Sequence, residues 1–295
     1  MDRLPEEMIL HLCQFLRFQD CLRLLSTCVR FHDLIPAAMQ RLSKTITLII
    51  RDEGDFSRMD LVEKHDLFSH VGKIRLNVEL LAREETSADI LSRLKALTTV
   101  CPNVRALQLD FAAEIKTNEH PYYARRRLLE ALNEWLGELG LKELHYGRVE
   151  EHACRDTIVV PVGVETCTIS YNDLGTTFSA DKSLQTSALT SIRHLHLVLH
   201  EMAFQMDTSL WSILARMPVL EELLLSGDAF CIKDEENGSP GNPASGVTLS
   251  VPRVKVDLRL TWHGLRSLLK RLTNVDTMFL DITRLIFDRY SPPRA

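Results

Sequence analysis

The chain has 295 residues, a formal net charge of −5, 45% hydrophobic and 25% charged residues, a composition that suits a globular protein with a sizeable core. A slightly acidic balance argues against a nucleic-acid or anionic-membrane surface as the main contact. No apolar run reaches the roughly eighteen residues a membrane helix needs, and the N-terminus lacks the basic start and apolar stretch of a signal peptide. A cytoplasmic or nuclear location is therefore expected, with neither membrane nor nucleic acid as partner. The seven cysteines are odd in number, scattered and never spaced CxxC, which suggests no disulfide framework and no metal site.

The first thirty-five residues are the most apolar-patterned stretch. Leu4-Pro5 opens a helix with proline at its first position, and Glu6 and Glu7 occupy the first turn, where the helix dipole favours acid. Met8, Ile9, Leu12, Phe15 and Leu16 then recur on one helical face. A polar break from Arg17 to Asp20 leads to a second pattern with Leu22, Leu24 and Leu25. Cys28, Val29, Phe31, Leu34 and Ile35 form a third, closed by Pro36. Three helices this short make a core too small to stand alone, since domains below about forty residues need a staple or a partner. The segment must dock, either as a cap on the domain that follows or on another protein.

Leu4-Pro5, Glu7, Ile9 and Leu12, Phe15-Leu16, then Asp20, Leu22, Leu24 and the run Ser26-Thr27-Cys28-Val29-Arg30-Phe31 resemble the F-box. The resemblance covers residues 1–41 and departs from the family pattern in four places. Thr27 stands where many members carry valine, Val29 replaces a basic residue, Phe31 takes a tryptophan position, and the inter-helix loop lacks its proline. What it implies is a face that binds a Skp-type adaptor, and through it a cullin-RING ubiquitin ligase. Leu4, Pro5, Ile9, Leu12, Leu16 and Leu22 are the contact residues it implies.

From about residue 42 a second pattern takes over. An apolar triplet spaced i, i+3, i+5 recurs as Val71/Ile74/Leu76, Val104/Leu107/Leu109, Leu141/Leu144/Tyr146, Val164/Cys167/Ile169, Ile192/Leu195/Leu197, Leu220/Leu223/Leu225, Val251/Val254/Val256 and Val275/Met278/Leu280. An earlier copy is expected to end in Ile46/Leu48. The copies step by about 29 residues, the long end of leucine-rich repeats. Helical patterns at Leu91–Asn103, Leu210–Pro218 and Leu265–Asn274 end in Pro or Asn and hand directly to a strand, units that bury their apolar faces only by stacking on neighbours.

These units resemble the degenerate repeats of leucine-rich-repeat F-box proteins. The expected fold class is therefore α/β: an N-terminal three-helix F-box followed, over residues 42–295, by a leucine-rich-repeat-like solenoid, an arc of alternating helices and parallel strands. Two insertions interrupt it. One, near 112–140, holds a helix from Pro121 to Leu139 ended by Gly140; the other, near 231–247, reads KDEENGSPGNPASG at its centre and is the strongest disorder candidate.

No phosphate-loop, dinucleotide, zincin or serine-hydrolase signature is present, so no enzyme and no cofactor are expected. His194, His196 and His200 alternate onto one side of a strand, but no acidic or cysteine ligand accompanies them and exposed surface is the preferred reading. An enzyme reading would centre on His145, His194, His196 and Glu222. The residues flanking the inward triplets should instead form a display face. Arg75, Gln108, His145, His196, Leu224, Lys255 and Phe279 are its candidate target-binding residues, a mixture of signs and apolar spots suited to a protein or peptide. The preferred function is substrate recognition in a Skp-cullin-F-box ubiquitin ligase. The alternative is a non-catalytic interaction protein whose N-terminal helices cap the solenoid or bind adaptor outside a ligase.

Overall fold

A computed structural model describes residues 5–13, 15–16, 20, 23–24, 27, 29–31, 33–34, 46–51, 71–83, 86–110, 121–146, 159–170, 187–199, 208–227, 248–281 and 285–286. The chain is mixed α/β and divides into two compact units, Met1–Leu141 and Lys142–Ala295. Within each unit parallel strands follow one another in chain order, three in the first and six in the second. Among the described residues, no helix is long and apolar enough to cross a membrane.

The first unit opens on helix α1, Glu6–Cys13, with Glu6 and Glu7 in its first turn. The Pro5 carbonyl accepts from the amides of Met8 and Ile9, so proline stands just ahead of the helix rather than at its first helical position. Residues 20, 23–24, 29–31 and 33–34 are helical; the rest of the expected second and third helices lies outside the described residues. Strands β1 (Ile46–Ile50), β2 (Val71–Asn77) and β3 (Ala106–Asp110) run parallel, with helix α2 (Ser87–Val100) crossing between the last two. Thr86 starts α2 with a reciprocal capping box, its hydroxyl accepting from the Asp89 amide while the Asp89 carboxylate accepts from the Thr86 amide.

Helix α3, Pro121–Glu138, packs on α2. Ile90, Leu94 and Leu97 of α2 and Leu128, Leu132, Trp135 and Leu136 of α3 are all buried. The Trp135 indole donates to Thr98 Oγ1 at 2.6 Å, which satisfies the one polar atom that burying tryptophan would strand. Cys101 and Cys167 are buried free thiols, and burial pushes each up to about 12, so they behave as small apolar residues.

In the second unit, β4 (Glu143–Tyr146), β5 (Thr166–Ser170), β6 (His194–Leu199), β7 (Glu222–Gly227), β9 (Arg253–Leu258) and β12 (Thr277–Leu280) form one parallel ladder. Helix α4 (Thr208–Leu214) crosses between β6 and β7, and α5 (Trp262–Arg271) between β9 and β12. Three minor strands, β8 (Leu249–Ser250), β10 (Leu260–Thr261) and β11 (Leu272–Thr273), and a fourth, β13 (Leu285–Ile286), make two small parallel ladders, β8 with β11 and β10 with β13.

The register aligns the apolar triplets. Leu144 pairs with Cys167, Cys167 with Leu195, Leu195 with Leu223, Leu223 with Val254 and Val254 with Met278. All but the last are buried, as are the preceding triplet residues Leu141, Val164, Ile192, Leu220 and Val251. A repeated hydrogen-bond pattern fixes the step: one carbonyl just before a strand accepts two successive amides of the next copy. Lys142 accepts from Glu165 and Thr166, Glu165 from Arg193 and His194, and Arg193 from Glu221 and Glu222.

Two sequence expectations need correction. The earliest copy ends in Leu48/Ile50, not Ile46/Leu48, because Leu48 pairs with Ile74 and Ile50 with Leu76 after a register irregularity between Ile46 and Thr47. Helix α5 does not hand straight to the repeat strand: β11 intervenes, followed by a turn at Asn274, whose φ of 53° is the left-handed region asparagine tolerates.

Candidate functional site

Two surfaces stand apart from the core. On α1, Ile9 and Cys13 are buried, whereas Met8 and Leu12 are 52% and 49% exposed, and Phe15, in the turn just after the helix, is 74% exposed. Met8 and Leu12 stand four apart on one side of the helix; Phe15 follows in a turn whose amide donates to the Leu12 carbonyl, and the His11 ring meets it edge-on at a centroid distance of 5.1 Å. Of the residues singled out as adaptor contacts, Pro5 and Leu12 are exposed, Leu16 is half-buried and Ile9 faces inward. Leu4 and Leu22 lie outside the described residues. The open apolar surface is thus centred on Met8, Leu12 and Phe15, and Val29 is a further exposed apolar side chain at 79%.

The second surface is the side of the sheet opposite the buried triplets, where alternate residues project. In the second unit the register places His145, Thr168, His196, Leu224, Lys255 and Phe279 in one row across six strands. Five of the seven proposed target-binding residues are members. Thr168, which is not among the seven, completes the row. In the first unit Arg75 and Gln108 are direct cross-strand partners, and both bond to Asp110, Arg75 through Nε and Gln108 through Nε2 at 3.1 Å.

Polarity grades along the row. At one end the His145 Nδ1 and Thr168 Oγ1 lie 2.7 Å apart, and His196 Nε2 lies 2.6 Å from Ser226 Oγ. Burial, then the neighbouring charges of His145 and Lys255, hold the His196 imidazole below its ordinary range, against a smaller opposing effect of Asp257, so His196 is neutral at neutral pH. At the other end Leu224 is half-buried, Lys255 is exposed and Phe279 is 62% exposed. The acids nearby are engaged: Glu222 is 3.4 Å from His194 and 3.7 Å from Arg253.

His194 and His196 do share a side of β6, while His200 lies outside the described residues. Among the described residues, no group of three or more His, Cys, Asp or Glu is placed to hold a metal. The enzyme set splits the same way: His145 and His196 take hydroxyl neighbours and His194 pairs with Glu222.

A ladder of alternating charge escaped sequence reading. Lys142 Nζ lies 2.6 Å from Glu165, Arg193 lies 2.6 Å from Glu221, and Arg253 approaches Glu221 at 3.8 Å. Each stands at or just before a strand start, so stacked copies bring opposite signs together. The Lys142 ammonium beside Glu165 holds its carboxyl below the usual range.

Compared with known protein families, residues 1–45 match the F-box-like family. No curated protein matches the chain. The match supports an F-box protein and suggests adaptor binding in a ubiquitin-ligase context.

Proposed function

We infer that the chain is the non-catalytic, substrate-recognition subunit of a Skp-cullin-F-box ubiquitin ligase, working in the cytoplasm, the nucleus or both. The observation that carries this reading is the F-box-like match at residues 1–45 together with the exposed apolar side chains of Met8, Leu12 and Phe15. Such a surface on a helix and the turn after it fits a helix-in-groove partner, here a Skp-type adaptor. The parallel strands in chain order, with triplets in register, support reading residues 42–295 as a degenerate leucine-rich-repeat solenoid, since units of this kind expose one strand row each. The row from His145 to Phe279 then offers a target both hydrogen-bonding and apolar contacts.

The mechanism is proximity. Adaptor and cullin hold a charged conjugating enzyme while the repeat face holds the target, and a bimolecular encounter becomes an effectively intramolecular one. The test is co-purification of the chain with adaptor and cullin, with and without Leu12→Asp, while proteins bound to the row are followed with and without proteasome inhibition. A target that accumulates under inhibition and is lost on Leu224→Asp/Phe279→Asp supports the reading. A wild-type chain that binds neither adaptor nor cullin contradicts it.

Burial of Ile9, Cys13 and Phe31 favours a second reading, an interaction protein in which the N-terminal helices also brace the chain outside any ligase. Adaptor binding without cullin in the same co-purification would favour it.

A further inference from the structure

Helix α5 combines a braced position with an outer face that is partly apolar and partly basic. It is pinned at both ends, by the β10–β13 ladder immediately before Trp262 and by the β11–β8 ladder immediately after Arg271. Gly264, Leu265 and Leu268 are buried, and that inner face accounts for its packing. The outer face does not follow from packing: Trp262 is 60% exposed, Leu269 is 46% exposed, and Arg266 and Lys270 are exposed beside them. The four stand at i, i+4, i+7 and i+8, so they form one ridge.

Charge singles out the same ridge. Residues 259–271, RLTWHGLRSLLKR, carry Arg259, Arg266, Lys270 and Arg271 and no acid, in a chain whose net charge is −5. Lys270 and Arg271 in the last turn suit the helix dipole, but Arg259 and Arg266 lie outside that turn. Tryptophan, arginine and leucine presented on a braced helix provide contact area with little ordering left to lose on binding.

We propose that the Trp262–Arg266–Leu269–Lys270 ridge of α5 is a docking site for a protein partner that presents apolar side chains flanked by carboxylates. It is independent of the α1 surface and of the sheet row. Two exposed apolar side chains are too few to hold a membrane surface by burial alone, whereas they suffice as the centre of a small protein contact when charge pairs surround them.

The test uses the full chain and a stapled helical peptide of about five turns, with leucines along one face and glutamates on the remainder. Trp135 and Trp211 are buried, each no more than 2% exposed, so a change in tryptophan emission reports Trp262. The expected result is a saturable blue shift, with affinity falling at least about ten-fold when salt rises from about 50 to about 500 mM. A similar loss is expected for a glutamine-for-glutamate peptide and for the Arg266→Gln/Lys270→Gln chain, with a melting curve of the variant showing that it is folded. Absence of a shift, or equal affinity for the double variant, would overturn the proposal. So would vesicles of about 30% phosphatidylserine shifting Trp262 where the peptide does not, which would assign the ridge to a lipid surface.

Discussion

Gly227 closes β7 with a φ of +122°, and a Cβ there would lie 1.9 Å from the Leu199 carbonyl oxygen of the paired strand. Neither the left-handed backbone nor the space admits a side chain. Gly227→Ala is expected to destabilise the chain by about 2–4 kcal/mol, read as a fall in urea midpoint at unchanged m-value. Gly137 has open space around its α-carbon and lies inside α3, so Gly137→Ala is expected to stabilise by up to about 1 kcal/mol. His196 makes a pH statement. Its folded pKa lies below the ordinary 6.5, so the unfolded chain binds the proton more readily. Its contribution to stability is full above pH 6.5 and is lost as pH falls towards the lowered folded value. Thermal melts of His196→Gln should lose less stability between pH 7.5 and 5.5 than the wild type; identical losses would contradict that assignment.

At the scale of elements, the triplets were readable because burial recurs at fixed offsets and leaves the same apolar signature in each copy, as in Cys167/Ile169 and Leu195/Leu197. The first copy is displaced by two residues because Ile46, Leu48 and Ile50 are all apolar at alternate positions, so the pattern fits either pair and only the ladder chooses Leu48/Ile50. The phase of α1 was likewise hidden. Met8, Ile9, Leu12 and Cys13 are apolar on more than one side of the helix, so periodicity alone could not say that Ile9 and Cys13 turn inward. The charge ladder of Lys142, Glu165, Arg193 and Glu221 reads as unremarkable surface until the copies are stacked.

Glu165 carries a prediction at this scale. Its carboxyl is held low by Lys142 and then by Arg193 and His194, so its stabilising effect is present above its ordinary value of 4.5 and fades as pH falls through the lowered one. Glu165→Gln should leave the melting temperature at pH 7 nearly unchanged, as expected of exposed pairs, and should remove part of the acid-induced loss of stability.

For the whole molecule, the proposed function needs one face that anchors and another that selects. Under the proposed function α1, where an F-box-like match and exposed apolar side chains coincide, would be the anchor, and the row of β4 to β12 the surface that selects. If the N-terminal helices are an independent module, removing residues 1–36 should leave the melting of the remaining chain within a few degrees of the intact protein, whereas a bracing role predicts a drop well beyond that.

Adaptor affinity tests the central claim most directly. Titration of a purified Skp-type adaptor into the full chain, followed by calorimetry, should show one-to-one binding that weakens by at least about thirty-fold, equivalent to ~2 kcal/mol, on Leu12→Asp. Leu224→Asp/Phe279→Asp should leave that affinity unchanged. An absence of heat at micromolar concentrations, or equal binding by the Leu12→Asp chain, would contradict it.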